Sequence, residues 1–350
     1  MVWQLRRKKF CNLNSLPAWS KRYTGAAISA EAQFDTASRL TRREKLELCV
    51  QHICRSEGVP PFCDHANEIL VRTLDLDGGS CTKLVQVILQ DVGLASHVLR
   101  LANSAINNHS GRPIMSIAHA VTVLGWLEVR ALASTVRYIE HFANRSPGLR
   151  ELVLASVLTA IQSREVSAAI GFPHPEEAYI CGLFRNLGEV LVACNYPNEH
   201  ARIILILDEE NIPERAACLR VLDFPWDAIG LRVAERWHMP PAVRLAMSPP
   251  PAAAGTPLDR SLQSITNYAD RLTRALYRNG VTVDTVHLET VLNPAGQSVL
   301  LSLRDLCAVV DRAVAETHEM FSTLQIPTET LRISNQAKRA RQALESHSTL

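Results

Sequence analysis

Apolar residues recur along most of this chain at the three-to-four-residue spacing of an amphipathic helix, with polar residues between them. Leu84, Val85, Ile88 and Leu89 form one such face after the turn Asp77-Gly78-Gly79-Ser80, whose serine suits an N-cap. Leu94, Val98, Leu101 and Ala102 repeat the pattern at i, i+4, i+7 and i+8. Upstream, a mixed-charge helix is predicted from Thr36 to Glu57, ending at Gly58, and Pro60-Pro61 opens the next. Downstream, helices are predicted over Ser116–Leu124, Trp126–Phe142 and Leu149–Ile170, the last turning Leu154, Val157 and Ile161 inward before Gly171 and Pro173. Further helices are expected near Glu176–Cys194, Pro197–Glu210, Pro213–Leu222 and Trp226–Trp237. No strand-like alternation competes with them. The pattern predicts an all-α fold, a compact multi-helix array with short connections and additional C-terminal helices.

Local composition divides the chain further. Residues 1–35 carry Arg6, Arg7, Lys8, Lys9, Lys21 and Arg22 before the first acidic residue, Glu31, and read as a flexible, solvated basic segment. Residues 36–248 form the main helical domain. Residues 249–257, rich in proline and alanine, read as a linker or loop because prolines and a glycine there interrupt any helix. Residues 258–350 form a C-terminal helical region, with helices expected at 258–278, 302–324 and 328–344. The last bears Arg332, Lys338, Arg339 and Arg341 and suits a solvated or partner-facing position.

Bulk properties narrow the function classes. The 350 residues hold 37 basic and 35 acidic side chains, a net charge of +2, so no global field advertises nucleic acid or cations. Nucleic acid is therefore an unlikely partner, resting only on the two basic ends. No apolar run approaches the ~18–20 residues of a membrane helix, so no membrane insertion is expected; Ile203 to Leu207 is closed by Arg202 and Asp208. Nine cysteines without a Cys-x-x-Cys pair, and an N-terminus lacking an apolar signal region, point to a reducing cytoplasm with thiols packed as small hydrophobes.

Four segments then appear in order. They are Leu99-Arg100-Leu101-Ala102-Asn103-Ser104-Ala105, Ala120-Val121-Thr122-Val123-Leu124-Gly125, Gly182-Leu183-Phe184-Arg185-Asn186-Leu187-Gly188, and Ile229-Gly230 followed by Glu235-Arg236-Trp237-His238-Met239-Pro240. In this register, strongest over residues 59–247, the chain resembles the HDOD domain, a degenerate relative of the HD and HD-GYP metal-dependent phosphohydrolases. The resemblance implies a helical scaffold and a role in bacterial signalling or regulation.

Hydrolytic HD proteins hold divalent ions through histidines and aspartates centred on a His-Asp pair, and the ion turns a bound water into a nucleophile. The matching position here reads Arg185-Asn186. Arginine is a permanent cation without a lone pair to donate, and asparagine offers only a neutral carbonyl oxygen. Ser156 stands near the expected upstream histidine, Trp226 and Asp227 near the downstream one, and Ala246, Met247 and Ser248 near the terminal pair. Of these stations only Asp227 offers a carboxylate. The resemblance therefore implies no catalytic residue, no metal ligand and no cofactor.

Other clusters read as structure. Asn103 and Ser104 suit helix capping before the Asn107-Asn108 turn, with a partner contact as the alternative. Arg185 and Asn186 suit a salt bridge or hydrogen bond, with an anion pocket as the alternative, because arginine matches phosphate. Cys49, His52, Cys54, Cys63 and His65 form the one Cys/His cluster, but Cys49 and Cys54 sit five apart on a predicted helix and face differently. No two of the twelve histidines share an i, i+4 spacing, and no phosphate-cradling glycine loop or Gly-x-Ser-x-Gly elbow occurs. The expected function is a non-catalytic cytoplasmic signalling module that binds a protein partner. The alternatives are a sensor holding a small anionic, nucleotide-like ligand in the vacated pocket and a residual HD-type phosphohydrolase. Candidate binding residues are Arg185, Asn186, Asp227, Asn103 and Ser104.

Overall fold

The computed structural model describes residues 40–55, 81–104, 107–108, 111–136, 149–210, 212–248, 255–278, 291 and 299–323. In chain order the helices are α1 (Arg42–Arg55), α2 (Cys81–Leu89), α3 (Val92–Ala102), α4 (Ile117–Val136) and α5 (Leu149–Ala169). They continue as α6 (Pro175–Phe184), α7 (Leu187–Asn195), α8 (Pro197–Glu210), α9 (Glu214–Val221) and α10 (Trp226–Arg236). The rest are α11 (Pro241–Ala246), α12 (Pro257–Thr273), which runs on into a π-helical turn over Arg274–Arg278, and α13 (Leu303–Thr323). No strand occurs among the described residues, and the fold is all-α as the periodicity predicts. Residues 1–35, the Pro60-Pro61 helix, the Asp77–Ser80 turn and the helix expected at 328–344 lie outside the described residues.

α5 is the central element. It packs against α6, α12 and α13, and more lightly against α7 and α3. Surrounded in this way, it buries polar as well as apolar positions. Leu158 and Ile161 are fully enclosed, and so are Ser156, Thr159, Gln162, Ser163 and Ser167. Buried hydroxyls need partners. Ser156 Oγ donates to Leu152 O at 3.1 Å and Ser163 Oγ to Thr159 O at 2.7 Å, within the helix itself. Thr159 meets Thr273 of α12 at 3.1 Å, and Thr273 donates to Gln162 Oε1 at 2.8 Å. Small side chains on α5 also let α6 approach closely: a Cβ on Gly182 would stand 2.6 Å from Ser163 Oγ and 2.7 Å from Ala160 Cα.

Two predicted boundaries change. The span Ser116–Leu124 and the described part of Trp126–Phe142, up to Val136, join as α4, with a kink at Gly125 where φ is 76° and ψ is 163°, a conformation that glycine reaches without a Cβ clash. The stretch Glu176–Cys194, expected to be helical, is a pair of helices, α6 and α7, parted at Arg185-Asn186. α11 follows Pro240 and has no counterpart among the predicted elements. Proline at its N1 position leaves no backbone donor unsatisfied there.

The helix after the proline-rich stretch is seated firmly. Thr256 and Asp259 form a capping box: Thr256 N–H donates to Asp259 Oδ2 at 2.9 Å, and Asp259 N–H donates to Thr256 Oγ1 at 3.2 Å. From there α12 lies against α5, α6 and α11 and buries ten of its seventeen residues. The chain after residue 257 therefore packs on the same core as the helices before residue 248.

Among the described residues, no helix is long and apolar enough to cross a membrane. Cys49, Cys181, Cys194 and Cys218 are buried thiols outside any disulfide, and the Cys54 and Cys307 thiols, also outside any disulfide, are half-buried. Burial pushes the Cys194 and Cys218 thiols up to about 12, which leaves them protonated and inert as nucleophiles at neutral pH.

α7 and α10 meet glycine to glycine. A Cβ on Gly188 would overlap the Trp226 carbonyl oxygen, and one on Gly230 would stand 2.9 Å from the Gly188 nitrogen. Because the obstacle is backbone, Gly188→Ala must push the helices apart, and a loss of about 3 kcal/mol in chemical denaturation is expected. Gly171→Ala is the control. Its φ of +69° carries strain but nothing lies within 4 Å of an added Cβ, so about 1–2 kcal/mol is expected there.

Candidate functional site

The site is built on the break between α6 and α7. Arg185 closes α6, its N–H donating to Gly182 O at 3.2 Å, and Asn186 precedes α7 with φ −103° and ψ 20°. The Asn186 carbonyl accepts the Val190 N–H, but its side chain makes no capping bond. That amide is therefore available for tertiary contacts. It donates through Nδ2 to Asp270 Oδ1 at 2.9 Å and accepts through Oδ1 from Arg274 Nη2 at 2.8 Å.

The partners come from α12. Gln263, Asn267, Asp270 and Arg274 stand at i, i+4, i+7 and i+11, a polar stripe on a helix whose neighbouring stripe, Leu262, Ile265, Ala269, Leu272, is core. Gln263 Nε2 donates to the carbonyls of Leu245 and Ser248, at 3.1 Å each, and so caps the end of α11. Arg185 Nη1 donates to Met247 O at 3.1 Å and Nη2 to Asn267 Oδ1 at 2.9 Å, with Asp270 Oδ2 at 3.8 Å. Arg274 Nε donates to Asp270 Oδ2 at 3.0 Å and Nη1 to Glu214 Oε2 at 2.5 Å. Glu214 in turn accepts from Trp226 Nε1 at 2.7 Å.

Charge and burial decide the character of this network. Asp270 is 3% exposed. Burial by itself would raise its carboxyl above the ordinary range. The Arg274 guanidinium, then the Arg185 guanidinium and the hydrogen bonds from Asn186 and Arg274, outweigh burial and hold it down at about 2. Arg274 is affected in the opposite sense: burial favours its neutral form, but Asp270, Glu214 and Glu189 hold it protonated. Beside them Glu189 Oε1 lies 3.6 Å from His200 Nε2, both side chains being buried. A cavity of about 330 Å³ opens on this group, lined among others by Arg185, Asn186, Glu189, Trp226, Asp227 and Arg274.

Arg185, Asn186 and Asp227 are thus brought to one cavity, and Asp227 there faces Arg215 at 3.6 Å. Asn103 and Ser104 do not line it. Asn103 ends α3 and clamps it to the following segment: Nδ2 donates to Leu99 O and Ile114 O at 3.0 Å each, and Oδ1 accepts the Ile114 N–H at 2.9 Å. Ser104 Oγ donates to Leu101 O at 2.8 Å. Ser156 spends its hydroxyl inside α5. Of the Cys/His cluster, Cys63 and His65 lie outside the described residues.

The residues that sequence reading missed are Asp270, Arg274, Glu214, Glu189 and Asn267. The stripe at 263, 267, 270 and 274 is the signal that could have found three of them, because polar residues at helical spacing beside a core stripe need buried partners.

Divalent ions take three or more converging anionic or imidazole donors. Among the described residues no three histidine, cysteine, aspartate or glutamate side chains converge in that way. Asp270, a buried carboxylate of the network, is flanked by two guanidiniums. This donor set does not fit a divalent ion.

Comparison with known proteins places this geometry. The family model for the HDOD domain matches residues 59–249. A protein of Treponema pallidum (strain Nichols) described as uncharacterised is 29% identical over 215 residues, or 59% of this chain. The chain spans 42% of that curated relative's length. Among solved structures, the MmoQ response regulator of Methylococcus capsulatus superposes with a TM-score of 0.55 at 17% identity, covering 72% of this chain and 98% of that one. A Campylobacter jejuni protein described as a virulence factor superposes with a TM-score of 0.53 at 14% identity, covering 85% and 99%. At these identities the two structures share the fold.

Asp270→Asn leaves two half-buried guanidiniums short of their shared, buried anion, and a loss of about 3 kcal/mol at neutral pH is expected. The pH dependence has a definite sign. The folded carboxyl sits below its unfolded value of about 4, so its stabilisation is complete above about pH 4 and is lost as pH falls through about 2. The stability gap between wild type and Asp270→Asn should therefore narrow across that window in urea titrations at successive pH values. A gap that stays constant would contradict the assigned charge state.

Proposed function

This chain belongs to the HDOD family, and from that premise we propose that it is a non-catalytic signalling module that works by binding a protein partner. The observation that carries this reading is the commitment of Arg185 and Asn186, at the His-Asp station of hydrolytic relatives, to internal partners on α12 and at the end of α11. A hydrolytic site of that type polarises water with an ion held by carboxylates and imidazoles. Here Asp270 serves instead as counter-ion to the arginines, and Glu214 is shared by Arg274 and Trp226. With the interior given over to holding helices together, the outer surface is left for recognition. A cytoplasmic setting fits the free buried thiols.

The second reading, a sensor for a small anion, is supported by the cavity and by Arg185 and Arg215 on its wall. It is weakened by the partners those arginines already have. An incoming phosphate would compete with Asp270 for Arg185 and with Asp227 for Arg215. It would also meet four carboxylates, Glu189, Glu214, Asp227 and Asp270, against three guanidiniums. The lining is therefore net negative, which disfavours an anion.

Incubation with phosphodiester, cyclic dinucleotide and guanosine polyphosphate substrates in Mn²⁺ or Mg²⁺ should give no turnover above buffer. Turnover that disappears in Asn186→Ala would overturn the proposal. The same nucleotide panel should leave the melting temperature unchanged, whereas stabilisation by one member that is lost in Arg185→Ala would establish the sensor reading in its place.

A further inference from the structure

Arg274 occupies its surroundings in an unusual way. Its guanidinium meets a different acceptor at each nitrogen: Asp270 Oδ2 at Nε (3.0 Å), Glu214 Oε2 at Nη1 (2.5 Å) and Asn186 Oδ1 at Nη2 (2.8 Å). These acceptors belong to three separate parts of the chain, namely α12, α9 and the α6–α7 break. Each is oriented by a further bond. Asn186 is turned by donating Nδ2 to Asp270 Oδ1, and Glu214 is anchored by Trp226 Nε1. The residue starts the π-helical turn Arg274–Arg278, an irregularity of the helix backbone that is frequent at functional sites.

An acceptor at every nitrogen of a planar trigonal cation is the recognition pattern of guanidinium. A metal ion asks for something else, oxygen ligands converging on one point from several directions, and no such convergence exists among the described residues. An ammonium group would also fit poorly, since its donors point tetrahedrally rather than in a plane.

We infer that the cavity where hydrolytic relatives hold their ion has become a guanidinium receptor, formed by Asn186, Glu214 and Asp270 and filled by the chain's own Arg274. The inference rests on the non-catalytic reading and deepens it by naming the cation class that the site accepts. The protein carries its cation covalently, so its stability is independent of divalent ions, and removing the arginine side chain leaves a receptor for a free alkylguanidinium.

The experiment uses the full chain as wild type, as Arg274→Ala and as Arg274→Lys. Ethylguanidinium supplies the atoms that the alanine variant lacks. Thermal melts are recorded with ethylguanidinium, Mn²⁺ or Mg²⁺ at low millimolar concentration. Wild type should respond to none of them. Arg274→Ala should melt lower and recover by about 5 °C in saturating ethylguanidinium, in the range that ligand linkage gives at a hundredfold excess over the dissociation constant. The divalent ions should not restore it, and Arg274→Lys should recover less than the alanine variant does with ethylguanidinium. Adding Asp270→Asn to Arg274→Ala should abolish the recovery.

Should Arg274→Ala fail to fold by itself, the readout becomes refolding yield with and without ethylguanidinium, and a yield that stays at the unsupplemented level overturns the inference. Rescue by Mn²⁺ in place of ethylguanidinium, rescue by neither, or stoichiometric metal in the purified wild type overturns it as well. Loss of rescue alone leaves the non-catalytic reading intact, whereas wild-type turnover would defeat that reading whatever the variants do.

Discussion

One carboxylate holds the centre of this protein together. Asp270 is buried among helices, and burying a lone charge there would cost several kcal/mol. It is tolerated because Arg274 and Arg185 flank it and Asn186 donates to its second oxygen. Through these three partners α12 is tied to the α6–α7 break, and through Glu214 to α9. The arrangement offsets its own desolvation only when it is complete, which makes it a constraint on how the helices meet more than a source of net stability.

Packing around that centre follows the same demand for close approach. Gly188 and Gly230 let α7 and α10 touch backbone to backbone, which carries Trp226 to Glu214 and sets the wall of the cavity. Gly182 does the same for α6 on α5. α5 in turn accepts several neighbours because most of its buried polar residues are small, with Ser156 and Ser163 bonded to carbonyls of their own helix and Gln162 answered by Thr273 of α12.

Much of the site was legible in part. Arg185, Asn186 and Asp227 were found because they stand where family resemblance expects ligands, and all three line the cavity. Asn103 and Ser104 were singled out in the separate segment Leu99–Ala105 and serve as brackets at the end of α3, which a helix-end asparagine and serine also predict. Asp270 and Arg274 were missed because they lie beyond a proline-rich stretch that reads as a boundary. A composition break records where the chain stops being helical. It does not record where the next helix goes.

The sequence by itself determined that the chain is helical and where most of the described helices lie, since three-to-four-residue periodicity and the placement of proline and glycine act within a few positions of each residue. It also determined that Arg185-Asn186 supplies neither histidine nor aspartate where hydrolytic relatives have both. Only the tertiary structure decided that α6 and α7 part at that dipeptide and that its two side chains are answered from positions 267, 270 and 274. The physical reason is range: Asn186 and Asp270 are 84 residues apart, and a charge selects its partner by distance in space, which helix packing sets and local sequence pattern does not.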